Sequence, residues 1–204
     1  MTSLLFATLL SLPLYPLNPV EEDTISFTNL HFTAGLNGPG SVVSTGPDLT
    51  AKYEMVVYHP IIVRGAMDYR YGSVSSIVYP DGDLHRVSFS VEGIYYRGTD
   101  KLTGYVGLGL VWSINSFTLA DNEVDSLFNF HGITDVDMNN PIGYRITAGL
   151  RLQKVYSIEV SMTEFRPNYI FTQQLEPNRW ISSTEQFRQN DFRISFGYLF
   201  TLKL

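Results

Sequence analysis

The C-terminal stretch FRISFGYLFTLKL, residues 192–204, decides the fold. Phe192, Ile194, Phe196, Tyr198, Phe200, Leu202 and Leu204 occupy alternate positions, with Arg193, Ser195, Gly197, Leu199, Thr201 and Lys203 between them. Seven apolar residues at a period of two would wrap around a helix, whereas on a strand they share one face. The segment is therefore a β-strand with one apolar and one mainly polar face.

The same alternation recurs upstream. Ile142, Tyr144, Ile146, Ala148, Leu150 and Leu152 alternate with Gly143, Arg145, Thr147, Gly149, Arg151 and Gln153. Val106, Leu108, Leu110, Trp112 and Ile114 alternate with Tyr105, Gly107, Gly109, Val111 and Ser113. Read along the chain, the pattern predicts eight strands, over about 24–36, 48–59, 61–72, 85–97, 103–117, 142–153, 155–170 and 190–204. Each meets or exceeds the roughly 9 to 11 residues that a tilted strand needs to cross a membrane.

The connections between these strands alternate in length. Three are short: His59-Pro60, Gly98 to Leu102, and Gln153-Lys154. Four are long, at about 37–47, 73–84, 118–141 and 171–189. In an up-and-down arrangement every second connection emerges on the same side, so all the long loops share one end. This is the pattern of a transmembrane barrel.

Composition agrees. Charged residues are 17% of the 204, against about 25% in an ordinary soluble domain. Aromatic residues are 14%, and the mean hydropathy is zero. No window holds the roughly 18 to 20 apolar residues of a spanning helix, so a membrane would be crossed by strands. A net charge of −6 with no run of Lys or Arg argues against a nucleic-acid partner. The absence of Cys removes disulfides, thiolate metal sites and cysteine nucleophiles. Residues 1–19 read as a signal-like leader, from the apolar run Leu4 to Leu14, and residues 20–204 as a single barrel domain. The run lacks a preceding Lys or Arg and a small-x-small cleavage site, so a retained apolar N-terminal segment is the other reading.

Alternation does not say which face is inside. A soluble lipocalin-type barrel also has eight strands, with its apolar face turned inward around a ligand. Such a calyx has mostly tight hairpins and a water-facing side dense in Lys and Glu. Here four loops are long, and the polar face is rich in Gly, Ser and Thr with isolated charges. The aromatics form two sets: Tyr58, Tyr95, Tyr105 and Tyr156 near the short turns, and Tyr69, Trp112, Tyr144 and Tyr169 near the long loops. Two such belts suit the two interfaces of a membrane. The fold class expected is all-β, an eight-stranded antiparallel up-and-down transmembrane β-barrel.

The inward face then collects Lys52, Arg64, Arg70, Arg86, Arg145 and Arg151 with Glu54, Asp68, Glu92 and Glu159. Isolated charges are costly to bury, so these are expected to form a paired network. An eight-stranded barrel is just wide enough for its own side chains. A closed plug is expected, rather than an open pore.

With these features in place, the chain resembles the small bacterial outer-membrane barrels of the OmpA transmembrane-domain, OmpX and OmpW type. The resemblance spans about residues 24–204. Its most specific piece is SFGYLFTL, which fits their C-terminal assembly signal through Ser195, Gly197, Phe200 and Leu202. Leu204 departs from the terminal Phe commonest there. Segment KYEMVVYHPIIVRGAMDY resembles their strand–turn–strand, with Pro60 at the tight turn. The resemblance implies a monomer in the outer membrane with periplasmic termini and extracellular long loops. Its partners would be outer-membrane lipid, lipopolysaccharide and the assembly machinery.

Sites for chemistry are sparse. PagL-like lipid A deacylases use a His and a Ser two positions apart facing the outer leaflet. His31, His59, His85 and His131 do not comply, His31 with Thr33 coming nearest. Asp135, Asp137 and Asn139 imitate the start of an EF-hand loop, but Asn140 and Ile146 replace its Gly and bidentate Glu. Loop 118–141 also holds Asp121, Glu123 and Asp125 beside Leu127, Phe128 and Phe130. No catalytic residue, metal or cofactor is assigned. The expected role is structural, envelope-stabilising or surface-binding, through the long loops. The alternatives are a passage for small hydrophobic molecules, with Val56, Ile62 and Leu199 as the main inner apolar residues, and a lipid A-modifying enzyme.

Overall fold

The computed structural model describes residues 28–38, 46–74, 82–119, 133–176, 179–186 and 189–202. The leader at 1–19, the acidic residues 121–125 and the apolar residues 127–130 lie outside them.

Eleven strands run through the described residues. Eight close a barrel: β1 (Thr28–Gly38), β2 (Gly46–Tyr58), β3 (Ile61–Val74), β4 (Gly82–Gly98), β5 (Leu102–Leu119), β7 (Ile142–Leu152), β8 (Tyr156–Phe165) and β11 (Gln189–Leu202). Their order is β1-β11-β8-β7-β5-β4-β3-β2, and β1 pairs with β2 to complete the ring. All eight pairings are antiparallel. Closure satisfies the main-chain donors and acceptors of every strand, which a membrane interior requires.

The remaining three strands correct the sequence expectation. β6 (Ile133–Met138), β9 (Asn168–Glu176) and β10 (Arg179–Gln186) form a second sheet, in the order β10-β9-β6, at the long-loop end. The stretch expected as one strand over 155–170 is therefore two. It breaks at Arg166-Pro167, and Pro167 has no N–H to give to a ladder. After the break the chain leaves the barrel wall and pairs with β10 and β6. The segments 118–141 and 171–189, expected as loops, contribute β6, most of β9 and β10.

The short connections stay tight. The β7–β8 turn places both Gln153 (φ 52°) and Lys154 (φ 58°) in the left-handed region. They are the central residues of a type I′ turn closed by the Val155 N–H donating to the Leu152 carbonyl at 3.0 Å, a turn for which Asn-Gly is the favoured pair; Leu152 then pairs with Tyr156. The neighbouring β4–β5 turn is tied to it: the Gln153 N–H donates to the Lys101 carbonyl at 2.9 Å, and Lys154 Nζ lies 2.7 Å from Asp100.

Burial follows the period of two and turns the wall inside out relative to a soluble barrel. Along β2 and β4 the pattern alternates buried polar with exposed apolar. Leu108, Leu110, Val91 and Phe196 stand on the outer surface, each more than 60% exposed. Inside, the apolar residues Ile62, Ile94 and Tyr105 cluster at the short-turn end, with Val56 and Tyr96 packed on them. Ala66, Leu84, Val111, Phe165 and Leu199 are also buried on the inward face, among side chains that are otherwise mainly polar.

Candidate functional site

Strand register builds the lumen's charge lattice directly. Glu54 on β2 faces Arg64 on β3, which faces Glu92 on β4. Opposite charges directly across a ladder attract. On another row Asp48 faces Arg70, and Arg70 faces Arg86. The pleat sends all these side chains inward.

Glu159 on β8 is the hub. Its Oε1 accepts from Lys52 Nζ at 2.6 Å and Arg193 Nη2 at 3.0 Å; its Oε2 accepts from Arg64 Nη1 at 2.8 Å and the Tyr105 hydroxyl at 3.0 Å. Glu54 accepts from Arg64 Nε at 2.9 Å and from Arg151 Nη2 at 2.6 Å on both oxygens. Glu92 accepts from Thr147 at 2.9 Å and Ser90 at 3.1 Å, with Arg145 at 3.5 Å. Tyr105 lies between two guanidinium groups, with Arg64 5.1 Å and Arg151 4.9 Å from its ring centre. Gly149 makes room for that ring, because a Cβ there would come within 2.4 Å of it.

Toward the long-loop end the carboxylates are aspartates. Asp68 takes Arg193 at 2.6 Å, Arg145 at 2.7 Å and the Thr50 hydroxyl at 2.8 Å. Asp48 takes Arg193 at 3.1 Å and Asn37 at 3.2 Å, and shares with Asp68 the single proton of the Thr50 hydroxyl, 3.0 Å away. Asp191 is shared by Arg70, at 2.6 Å, and Arg86, and accepts from Gln189 at 3.3 Å. Arg86 also donates to Asn115 and Gln189 and lies over the Phe165 ring.

All ten charges assigned to the interior from sequence are inside and buried. The structure adds Asp48, Asp191 and Arg193. Arg193 and Asp191 share the inward parity of Ser195, so the alternation of the last strand could have found them. Asp48 sits near the start of β2, where the sequence pattern is weakest. Among the described residues the lumen thus holds seven cations, Lys52 and Arg64, Arg70, Arg86, Arg145, Arg151 and Arg193. They face six carboxylates, Asp48, Glu54, Asp68, Glu92, Glu159 and Asp191. Glu164 is also buried, but under Tyr144 on the outer wall, whose hydroxyl donates to it at 2.6 Å.

Six of the eight belt aromatics stand on the outer surface: Tyr58, Tyr95 and Tyr156 toward the short turns, Tyr69, Trp112 and Tyr144 toward the long loops. Two expectations are corrected. Tyr105 has the inward parity of its strand and is 2% exposed, held inside by Glu159. Tyr169 is 4% exposed in β9, beyond the Pro167 break, where its ring stacks on Phe171. Of the C-terminal motif, Ser195 points into the lumen, Phe200 stands outside, and Leu202 pairs with Thr28 at the β1–β11 closure. Gly197 clears space for His31 and Thr33, each 2.4 Å from where its Cβ would be.

His31 Nε2 lies 2.6 Å from Ser157 Oγ, and its Nδ1 is 3.8 Å from Glu54. The order is that of a nucleophile, a base and an acid, but Ser157, His31 and Glu54 are sealed in the lumen and Glu54 is committed to Arg64 and Arg151. The residues likened to a calcium loop serve the second sheet instead. Asp137 Oδ1 accepts from the Met138 N–H, and Asn139 Oδ1 from the Asn168 N–H at 2.7 Å.

No protein-family model and no curated protein matches the sequence. Solved structures do match. The outer membrane protein OprG from Pseudomonas aeruginosa is 14% identical, with 86% of this chain and 95% of that chain covered and a TM-score of 0.58. The outer membrane protein AlkL, solved in DMPC bilayers, is 16% identical over 93% of this chain and 96% of that chain, at a TM-score of 0.49. The outer membrane enzyme PagL is 14% identical over 83% of this chain and 97% of that chain, at a TM-score of 0.48. The likeness to OprG shows the fold: this chain is an eight-stranded transmembrane barrel of the outer-membrane type.

Proposed function

We propose that the protein is a monomeric integral protein of a bacterial outer membrane, with a closed lumen, that works through the sheet it holds beyond the membrane. The observation that carries this reading is the charge lattice centred on Glu159, which fills the barrel with side chains bonded to one another. A lumen so occupied leaves the second sheet and the long connections as the surface through which the protein can act. The termini are then periplasmic and the β10-β9-β6 sheet extracellular, beside lipopolysaccharide. Phe200 and Leu202, at the closing strand, are the residues the assembly machinery would read.

The apolar lumen residues favour this reading over a passage for small hydrophobic molecules, since Ile62 and Ile94 pack together with Tyr105 and Leu199 is buried. The test has two arms. In planar bilayers the purified barrel shows no discrete conductance steps; regular steps contradict the closed lumen. Replacing residues 168–186 by a short turn leaves a heat-modifiable, folded barrel but changes the binding of cells to surfaces or host ligands. Unchanged binding contradicts a role for the sheet.

A further inference from the structure

Near the long-loop end of the lumen lies a small cavity of about 20 Å³. That is room for one particle of the size of water or of a chloride ion. Four guanidinium groups line it, Arg70, Arg86, Arg145 and Arg193, against three carboxylates, Asp48, Asp68 and Asp191.

Three observations converge here. Each carboxylate is engaged by at least two donors or cations. Arg70 and Arg193 keep N–H groups that none of them takes. Arg70 is 3% exposed, and although its Nη1 lies against Asp191, its Nε and Nη2 meet no acceptor; Arg193 Nε is likewise without one. Arg70 also sits directly opposite Arg86 across the β3–β4 ladder, a like-charge pair that costs stability unless an anion screens it. Asp191 is shared between the two, so one carboxylate serves two guanidinium groups. Among the described residues the lumen repeats the imbalance, with seven Lys and Arg side chains to six carboxylates. Uncompensated charge in a low-dielectric interior is expensive.

We propose that this cavity is a binding site for a monovalent inorganic anion of chloride size, held by the free N–H groups of Arg70 and Arg193. The anion balances the four guanidinium groups of the lining against its three carboxylates and screens Arg70 from Arg86. The cavity's size selects against larger anions such as gluconate.

The experiment uses the full-length folded protein. Crystals grown or soaked in bromide give an anomalous peak in the cavity, within hydrogen-bonding reach of Arg70. In solution, at constant ionic strength, the unfolding midpoint rises as chloride replaces gluconate, climbing with the logarithm of chloride once the site fills. Arg70→Gln removes the surplus charge and abolishes that chloride dependence. A cavity without bromide overturns the proposal, whatever the midpoint does. Equal midpoints in chloride and gluconate overturn it too. If Arg70→Gln fails to fold, the two wild-type measurements still decide.

Discussion

Replacing Glu159 by Gln tests the lattice at its hub. The side chain keeps its size and loses its charge. Lys52, Arg64 and Arg193, all within 3.0 Å of the carboxylate, then surround a neutral amide. Either orientation of that amide also turns an NH2 group toward donors, because both carboxylate oxygens accept two hydrogen bonds. Breaking a buried ion pair by removing one partner costs about 3–5 kcal/mol. Total stabilities are about 5–15 kcal/mol, so the variant loses a large share of its margin. With a urea dependence of about 2 kcal/mol per molar, the midpoint falls by about 2 M. The assay is urea unfolding in lipid or detergent, followed by the shift between folded and unfolded bands on unboiled gels. Lys52→Met costs less, since Glu159 keeps two guanidinium partners. The double variant costs less than the two changes summed, with a coupling of about 0.5–3 kcal/mol. A Glu159→Gln midpoint within a few tenths of a molar of wild type, or strict additivity with Lys52→Met, refutes the hub.

Three other perturbations follow from the same geometry. Gly149→Ala places a methyl within 2.4 Å of the Tyr105 ring and 2.8 Å of the Ile158 carbonyl; it lowers stability by about 1–3 kcal/mol in the same urea titration, as overpacking does. Leu108→Arg, on the outer wall at 62% exposure, costs about 2–4 kcal/mol for folding into bilayers, a penalty that a water-facing site would not impose. Replacing Gln153-Lys154 by Asn-Gly relieves two left-handed residues in the β7–β8 turn; it raises stability by up to about 1 kcal/mol at each position, and the urea midpoint with it. A lowered midpoint there contradicts the turn assignment.

The barrel was legible in the sequence because each wall strand obeys one rule. A lipid-facing and a lumen-facing side alternate strictly, as in residues 192–202, and the rule exposes both the strand and its inward charges. The second sheet was not legible, because the rule does not govern strands outside the wall. β6 and β10 (ITDVDM and RWISSTEQ) are short, and the alternation of Tyr156, Ile158, Val160 and Met162 carried the expected strand past Pro167 although Glu164 already breaks it. The belt assignment failed for Tyr105 through composition: an aromatic ring near a turn suggested an interface. The parity of its strand, set by Val106, Leu108 and Leu110, already pointed it inward. The surplus of guanidinium groups around the cavity needed register, since only the pairing of β3 with β4 brings Arg70 opposite Arg86.

The central claim is that the apolar outer wall faces lipid acyl chains, and the fluorescence of Trp112 tests it most directly. Trp112 stands on the outer surface, its ring stacked on Phe89 at 5.8 Å between centres. In a Trp180→Phe background it reports alone, because the chain has two Trp. In vesicles, lipids brominated along their acyl chains quench its emission, while aqueous iodide leaves it unchanged. Quenching by iodide with no response to the brominated lipids would contradict a lipid-facing wall.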